Sequence, residues 1–247
     1  MLRYKALIEY DGTAYYGFQR QIKEQHTIQG ELEKAIARLT QQPINVIGAG
    51  RTDSGVHALG QVISFDLDWR HDIEALQRAI NANLPADIVI LQLNQVSPTF
   101  HPRFDARRRS YAYHIFNAAV RSPVRRFQSW HVRHPLDVGK MNQAASVLLG
   151  RHDFGTFGQP PVGENRVREL FRAEWIRERE FLVFHIEANA FLYRMVRSLV
   201  GSMKLVGEGS WTVEDFVAAF RSCDRSRSGT AAPPQGLYLV SVTYGNP

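Results

Sequence analysis

The amino-acid sequence predicts an α+β protein of two ferredoxin-like (RRM-like) halves, which form one extended antiparallel sheet with helices on one face. Three observations predict this fold. Residues 3–10 alternate polar and apolar side chains, as a half-buried strand does. The patterns up to residue 96 follow the order β-α-β-β-α-β, and those after residue 110 follow a looser version of it. This arrangement leaves one sheet face free for a ligand, and sheets joined edge to edge would place a central active-site cleft between the halves, which we expect.

The first half shows six elements. Its first helix is predicted by a possible N-cap at Thr27, followed by apolar residues at helical spacing. Alternating or apolar runs between turn residues predict the strands. The predicted elements are strand 3–10, a helix through Ile28, Leu32, Ile36 and Leu39, strands 44–49 and 61–67, a helix through Ile73, Leu76 and Ile80, and strand 88–96.

The second half repeats this plan less regularly. Its predicted elements are strand 111–117, helix 138–149, strands 170–176 and 181–186, helix 192–206 and strand 237–244. Pro98 and Pro102 interrupt both periodicities at the seam. We therefore expect an N-terminal half over residues 1–104 and a C-terminal half over residues 105–247.

The charge balance favours an anionic partner. Lysine and arginine outnumber aspartate and glutamate by 30 to 24, a formal net charge of +6 at pH 7. Arginines recur within 107–109 and 121–126 beside aromatic residues on which bases could stack, and the guanidinium fork suits phosphate oxygens. A general bias towards arginine on solvated faces would give the same counts. The charge therefore favours nucleic-acid binding without establishing it.

Cysteine use and hydropathy bear on the compartment. The single cysteine, Cys223, excludes an internal disulfide framework and a cysteine-rich zinc site. Apolar runs are short, and residues 1–10 alternate like a strand, unlike a signal peptide. We expect a cytoplasmic protein with no membrane span. The nine histidines form no cluster with acidic or cysteine partners, so no metal site is predicted.

The segment GAGRTDSGVHA, residues 48–58, is the main candidate for a catalytic loop. Its glycines permit positive φ and close backbone approach, and Asp53 is the one carboxylate in the segment. The segment matches neither the GxGxxG fingerprint nor a Walker-type phosphate loop. Two interpretations stay open: Asp53 is presented into a cleft as a reactive group, or it only bonds its own backbone in a turn.

A predicted helix, FLYRMVRSLVGSMKLVG from residue 191, carries two arginines beside a dense apolar stripe. Arg194 and Arg197 are three residues apart. Arginines placed in this way either reach into a site or extend along the apolar surface to solvent. The spacing alone leaves both possibilities open.

Together these motifs resemble the TruA family of tRNA pseudouridine synthases, nearly from end to end. The similar segments of the first half are YDGTAYYGFQRQ (10–21), TIQGELEKAI (27–36), GRTDSGVHA (50–58) and NANLP (81–85). Those of the second half are FHPRFDARRRSYAY (100–113), ANAFLYRMVRSLVGS (188–202) and QGLYLVSVTY (235–244). The joint order and spacing of these segments carry the resemblance.

The resemblance implies a role for each candidate residue. Asp53 corresponds to the nucleophilic aspartate of the family, and Tyr111 to the tyrosine that stacks on the target base. Arg197 corresponds to the arginine that pairs with this aspartate. Arg51 resembles the arginine that helps to displace the target nucleotide from its helix. Arg109, in the first arginine group, is expected to bind substrate.

The resemblance also implies the reaction and the partners. It implies that uridine becomes pseudouridine at positions thirty-eight to forty of the anticodon stem-loop. The enzyme would be a homodimer that binds tRNA and uses no metal and no small-molecule cofactor. The sequence departs from the family at Phe18, Ser54 and Arg194, where tryptophan, alanine and histidine are frequent. The small serine beside the nucleophile is expected to tune only the rate.

Alternatives remain at this level. A single carboxylate can attack C1′ of the ribose or C6 of the uracil ring, and the sequence does not choose between them. The main alternative function is a non-catalytic RNA-binding module of the same fold, against which the joint presence of Asp53, Tyr111 and Arg197 argues. A carboxylate-dependent glycosidase would need a second carboxylate as general acid, and no motif supplies one.

Overall fold

The structure is a computed structural model that describes residues 1–21, 25–160 and 163–245. These residues form ten strands and five α helices. The strands are β1 (Leu2–Tyr10), β2 (Ile47–Gly48), β3 (His57–Leu67), β4 (Ile88–Val96), β5 (Ala106–Asn117), β6 (Trp130–Val132), β7 (Gly150–Asp153), β8 (Val167–Glu178), β9 (Phe181–Ala188) and β10 (Leu237–Tyr244). The helices are α1 (Ile28–Thr40), α2 (Ile73–Asn83), α3 (Val138–Ser146), α4 (Met195–Gly207) and α5 (Val213–Arg221).

The chain divides into two compact units. The first contains residues 1–107 and the C-terminal segment from Leu239, and the second is Arg108–Tyr238. This division differs from the halves 1–104 and 105–247 at the C-terminus. Most of β10 belongs to the first unit because this strand lies next to β3.

In the first unit the strands follow the order β4-β1-β3-β10, and the short β2 pairs with β3. β1 lies between β3 and β4 and is antiparallel to both. The predicted alternation is confirmed in β1, because its buried side chains are Tyr4, Ala6, Ile8 and Tyr10. Helix α1 begins where its cap was predicted: the Thr27 side chain accepts the N–H of Gly30.

The strand predicted over 44–49 shrinks to the two residues of β2. Side chains of α1 take the hydrogen bonds that a longer ladder would use. The N–H of Val46 donates to Glu33 Oε1 at 3.1 Å, and the Val46 carbonyl oxygen accepts Gln29 Nε2–H at 3.0 Å. The backbone N–H and carbonyl groups of Val46 therefore have hydrogen-bond partners without strand pairing. This explains why the apolar run here does not form a longer strand.

The second unit contains strands in the order β5-β9-β8-β7, all antiparallel, with β6 parallel to β5. The α+β class is thus confirmed, whereas the prediction of purely antiparallel pairing is wrong for β5 and β6. Residues 118–129, about a dozen, join these two strands, which is long enough for the crossover that parallel pairing requires. The largest fully buried side chains of this unit are Tyr113, Phe154, Phe157, Phe184 and Phe216.

Candidate active site

The Asp53 loop, residues 49–56 between β2 and β3, contains a tight turn closed by the main chain. The N–H of Val56 donates to the carbonyl oxygen of Asp53 at 3.1 Å. Gly55, the third residue of this turn, has φ +76°, which glycine adopts without strain. The side chain of Asp53 is not needed for this closing bond. In the same loop Asp53 is half-buried and Arg51 is exposed.

A second loop, residues 11–18, holds the backbone of the Asp53 loop in place. The N–H of Phe18 donates to the carbonyl oxygen of Thr52 at 3.1 Å. The hydroxyl of Ser54 donates to the carbonyl oxygen of Tyr15 at 3.0 Å. These bonds lie on either side of Asp53, so the position of its main chain is set from both directions.

Glycine is required at two positions of the second loop because the two backbones approach so closely. Gly17 has φ +88°, and a Cβ there would lie 2.7 Å from the carbonyl oxygen of Thr52. A Cβ at Gly12 would lie 2.0 Å from the carbonyl oxygen of Val56. Any larger residue at either position would push the two loops apart and displace the backbone that carries Asp53.

Gln61 anchors the start of the Asp53 loop, and sequence analysis did not single it out. Its side chain is fully buried on β3; Nε2 donates to the Gly50 carbonyl oxygen at 2.7 Å, and Oε1 accepts the Gly50 N–H at 3.2 Å. The ladder of β2 and β3 continues through the bond from the Ala49 N–H to the Val62 carbonyl oxygen. The Gln61 amide therefore replaces backbone pairing where the chain leaves the sheet. A glutamine within the apolar strand QVISFDL was the available signal.

Replacing Gln61 by methionine should weaken both the fold and turnover. The change removes both side-chain bonds to Gly50, and we expect a loss of about 1–3 kcal/mol in the free energy of unfolding. A loosened loop should also slow, by about 10-fold or more in single-turnover assays, the reaction that the resemblance implies. Thermal melts and single-turnover assays measure the two effects.

The matched control for this change is Gln77→Met. Gln77 lies on α2, and its Nε2 donates to the carbonyl oxygens of Ile90 and Leu91, both at 3.0 Å. This variant should lose stability without a loss of turnover. Equal turnover losses in the two variants would contradict a specific role for Gln61.

In the second unit, β5 presents Tyr111 and Arg109 on the same face, since the two residues are two positions apart. Tyr111 is 8% exposed, and its ring contacts the ring of Phe191 edge to face, with centroids 5.0 Å apart and planes at 82°. This contact fixes the orientation of the tyrosine ring. Its role in base stacking stays a prediction.

The three arginines at the start of β5 have different surroundings. Arg109 is 9% exposed, and its Nη1 donates to the carbonyl oxygen of Asn189 at 3.1 Å. Arg108 pairs with Glu187 at 2.9 Å. Arg107 is exposed. Of the three, Arg107 is therefore the one most suited to an outer phosphate, whereas the substrate-binding role of the buried Arg109 stays a prediction.

Arg197, in the first turn of α4, is held by a pair of reciprocal bonds to Ala232. Its Nε donates to the carbonyl oxygen of Ala232 at 2.7 Å, and the N–H of Ala232 donates to the carbonyl oxygen of Arg197 at 2.8 Å. The bond at Nε sets the plane of the guanidinium and directs its terminal nitrogens. The alternative, a side chain extended freely to solvent, does not describe this half-buried residue.

The segment that binds Arg197 is itself tightly packed. A Cβ at Gly201 would lie 1.8 Å from the carbonyl oxygen of Thr230, so α4 and this segment touch through their backbones. The hydroxyl of Tyr113 donates to the carbonyl oxygen of Pro233 at 2.8 Å. Burial raises the pKa of Tyr113, and the nearby charge of Arg197 opposes the rise. The tyrosine therefore stays a neutral donor at physiological pH.

No group of three or more histidine, cysteine, aspartate or glutamate side chains within 1–21, 25–160 and 163–245 is arranged to hold a metal ion. None of the helices in that part of the chain has both the length and the apolar character needed to cross a membrane.

Comparison with known proteins decides the family. A family model described as tRNA pseudouridine synthase matches residues 6–105 and 144–245. The chain belongs to this family. Membership makes it an isomerase that acts on uridine in tRNA. The matched ranges include the loop of Asp53 in the first unit and Arg197 in the second, whereas Tyr111 lies outside them.

Individual relatives of this pseudouridine synthase support the same family assignment. The chain is 44% identical over 248 residues to tRNA pseudouridine synthase A of Methylocella silvestris, covering 99% of each chain. It is 41% identical over 239 residues to tRNA pseudouridine synthase A of Thermoanaerobacter sp. (strain X514), covering 96% of this chain and 98% of that relative. A crystal structure of the archaeal box H/ACA sRNP Nop10-Cbf5 complex is 10% identical with a TM-score of 0.39, covering 94% of this chain and 59% of that one. That likeness is too distant to support any detail.

Proposed function

We propose that this enzyme converts uridine to pseudouridine at positions thirty-eight to forty of the anticodon stem-loop, with Asp53 as its nucleophile. The observation that carries the proposal is the backbone-closed turn of the Asp53 loop. The turn and its surrounding bonds position a half-buried carboxylate without using its oxygens for the closing bond. The family resemblance supplies the positions in the tRNA.

The chemistry needs one nucleophile and no redox partner. The bond between N1 and C1′ breaks, the base turns, and a bond forms between C5 and C1′, while the proton on C5 is lost and N1 gains one. No group is donated and no electron is transferred. A carboxylate can begin this sequence by attack at C1′ or at C6, and both routes remain compatible with a single Asp53.

Two side chains of the second unit complete the proposed machinery. Tyr111 would stack on the base, and Arg197 would pair with the Asp53 carboxylate. The support for Arg197 is its fixed guanidinium plane, set by the bond from Nε to Ala232. The support for Tyr111 is the edge contact with Phe191, which leaves the ring in one orientation.

Quaternary structure, compartment and the finer description of the fold are also proposals. The resemblance supports a homodimer that binds tRNA, and the single cysteine supports the reducing cytoplasm. In the first half, the strands follow the order β4-β1-β3, and β2 pairs with β3. This order supports the ferredoxin-like description of that half. Light scattering on the purified protein tests the dimer.

Position-specific label release tests the proposed substrate. Transcripts of one tRNA carry tritium at C5 of every uridine, and in one set the uridines at positions thirty-eight to forty are replaced by cytidine. We expect release from the parent transcript and none from the replaced one. Equal release from both would place the target elsewhere in the tRNA.

Arg51→Ala should slow turnover on folded tRNA far more than it weakens binding. Arg51 is exposed at the edge of the Asp53 loop, and its proposed task is to extrude the base. We expect single-turnover rates to fall by about 10- to 100-fold, the size of effect that misplacing a reacting group produces. The Kd for tRNA should change little.

Arg70→Ala is the matched control because Arg70 is also exposed in the first unit and carries the same charge. It should leave the single-turnover rate unchanged. If Arg51→Ala turns over at the parent rate as well, Arg51 is only a structural part of its loop.

A further inference from the structure

Phe104 is an exposed aromatic side chain beside a cationic segment. Its side chain is 73% exposed, whereas the neighbouring aromatics Tyr111 and Tyr113 are 8% and 0% exposed. His101 contacts one side of the ring, but an exposure of 73% leaves ring surface available for a partner. Of these aromatics, Phe104 is the one able to stack on a base at the surface.

The backbone around this ring is rigid, because His101 organises it. His101 Nδ1 accepts the N–H of Arg103 at 3.2 Å and that of Phe104 at 3.3 Å. The N–H of His101 donates to the Asp105 carboxylate at 2.9 Å, and the N–H of Asp105 donates back to the His101 carbonyl oxygen at 3.1 Å. The imidazole also packs against the Phe104 ring, with centroids 4.2 Å apart. The exposed ring is therefore held in place before any partner binds.

Two further bonds fix this segment to the first unit. The hydroxyl of Tyr244 on β10 donates to the carbonyl oxygen of Pro102 at 2.8 Å. Arg3 on β1 donates from Nη1 to the carbonyl oxygen of Phe100 at 3.0 Å. A segment with such anchors loses little conformational entropy when a ligand stacks on it.

Cations accompany the ring. The guanidinium carbon of Arg103 lies 5.8 Å from the ring centroid, and Arg107 is exposed three residues further along the chain. A flat apolar face next to positive charge complements a nucleobase next to its phosphate. We propose that Phe104 is a stacking site for an unpaired nucleobase of the tRNA, outside the residues that perform the chemistry. This inference rests on the proposed function, since it assumes an RNA substrate.

The surroundings favour RNA over a second copy of the chain. Between residues 92 and 119, all of which the structure describes, Phe104 is the one large apolar side chain that is exposed. Its exposed neighbours in the chain, Asp105 and Arg107, are charged, so the segment around the ring differs from the apolar patch that protein interfaces use. A symmetric contact through this segment would also bring like-charged arginines together, which is unfavourable.

Variants at Phe104 separate stacking from simple apolar contact. Phe104→Leu keeps an apolar side chain but removes the π face, and Phe104→Trp keeps the face. We expect Phe104→Leu to raise the Kd for tRNA by about 5- to 150-fold, as loss of one stacked base does. Phe104→Trp should keep the Kd of the parent protein. The salt dependence of binding should keep the parent slope, because no charge is removed.

Arg107→Gln is the charge control. It should reduce the slope of log K against log salt by about 1 if Arg107 contacts a phosphate. Thermal melts and light scattering accompany each variant. The proposal is overturned if Phe104→Leu binds as tightly as the parent, if its loss of affinity comes with a changed slope, or if it changes the oligomeric state. Failure of the proposed function looks different, since the parent protein would then release no C5 label, or would release it equally from the transcript without uridine at positions thirty-eight to forty.

Discussion

Replacing Asp53 by asparagine should abolish pseudouridine formation while the fold and tRNA binding persist. Asparagine keeps the size, the shape and one acceptor oxygen of the side chain, but it loses the charge and nearly all nucleophilicity. The closing bond of the turn should survive because it runs between the main chains of Val56 and Asp53. The variant therefore separates a catalytic carboxylate from a turn-forming one.

The measurements are C5 label release, filter binding of tRNA and a thermal melt on the same preparation. Asp72→Asn is the matched control: Asp72 caps α2 by accepting the N–H of Ala75, and asparagine caps a helix equally well. It should be active. A folded Asp53→Asn protein that binds tRNA and releases label at even about a tenth of the parent rate would refute the assignment of the nucleophile.

The second large effect is expected for Arg197→Lys. Lysine keeps the charge, but it has no counterpart of the Nε that donates to the carbonyl oxygen of Ala232. The ammonium would therefore lose both the direction and the fork geometry of the guanidinium. If Arg197 pairs with Asp53 as proposed, we expect the single-turnover rate to fall by about 100-fold or more, because small displacements of reacting groups have effects of this size.

Arg194→Lys is the control for this change, three residues earlier in the chain. Arg194 is exposed and precedes α4 with φ +59°. This substitution should leave both rate and stability close to those of the parent. If Arg197→Lys retains the parent rate too, the bond to Ala232 serves only to fix α4.

Several elements of the fold follow from periodicity and caps alone. α1 begins at its predicted N-cap, Thr27, and β1 buries every second residue as expected. Helix α5 was missed although its capping box is visible in sequence: Thr212 and Asp215 satisfy each other's backbone N–H groups. β6 could not be predicted, because a three-residue strand that pairs in parallel depends on where its partner lies.

The sequence predicts those parts of the candidate site that lie within one segment, but not those that depend on residues far apart in the chain. The turn around Asp53 is readable because glycines mark it within one segment. The role of each side chain came from the family resemblance, since residues as distant as 53, 111 and 197 share no local pattern. Gln61 went unnoticed because only the folded structure shows that its amide bonds Gly50 from β3.

One measurement tests the central claim most directly: release of tritium from C5-labelled uridine in tRNA by the purified protein without added metal or cofactor. Isomerisation must free this label, because the new bond to C1′ forms at C5. We predict one equivalent released per target uridine, with the chain otherwise intact. Tight tRNA binding without label release would contradict the account and indicate an RNA-binding module. Loss of the base with strand breakage and no release would instead indicate glycosidic cleavage.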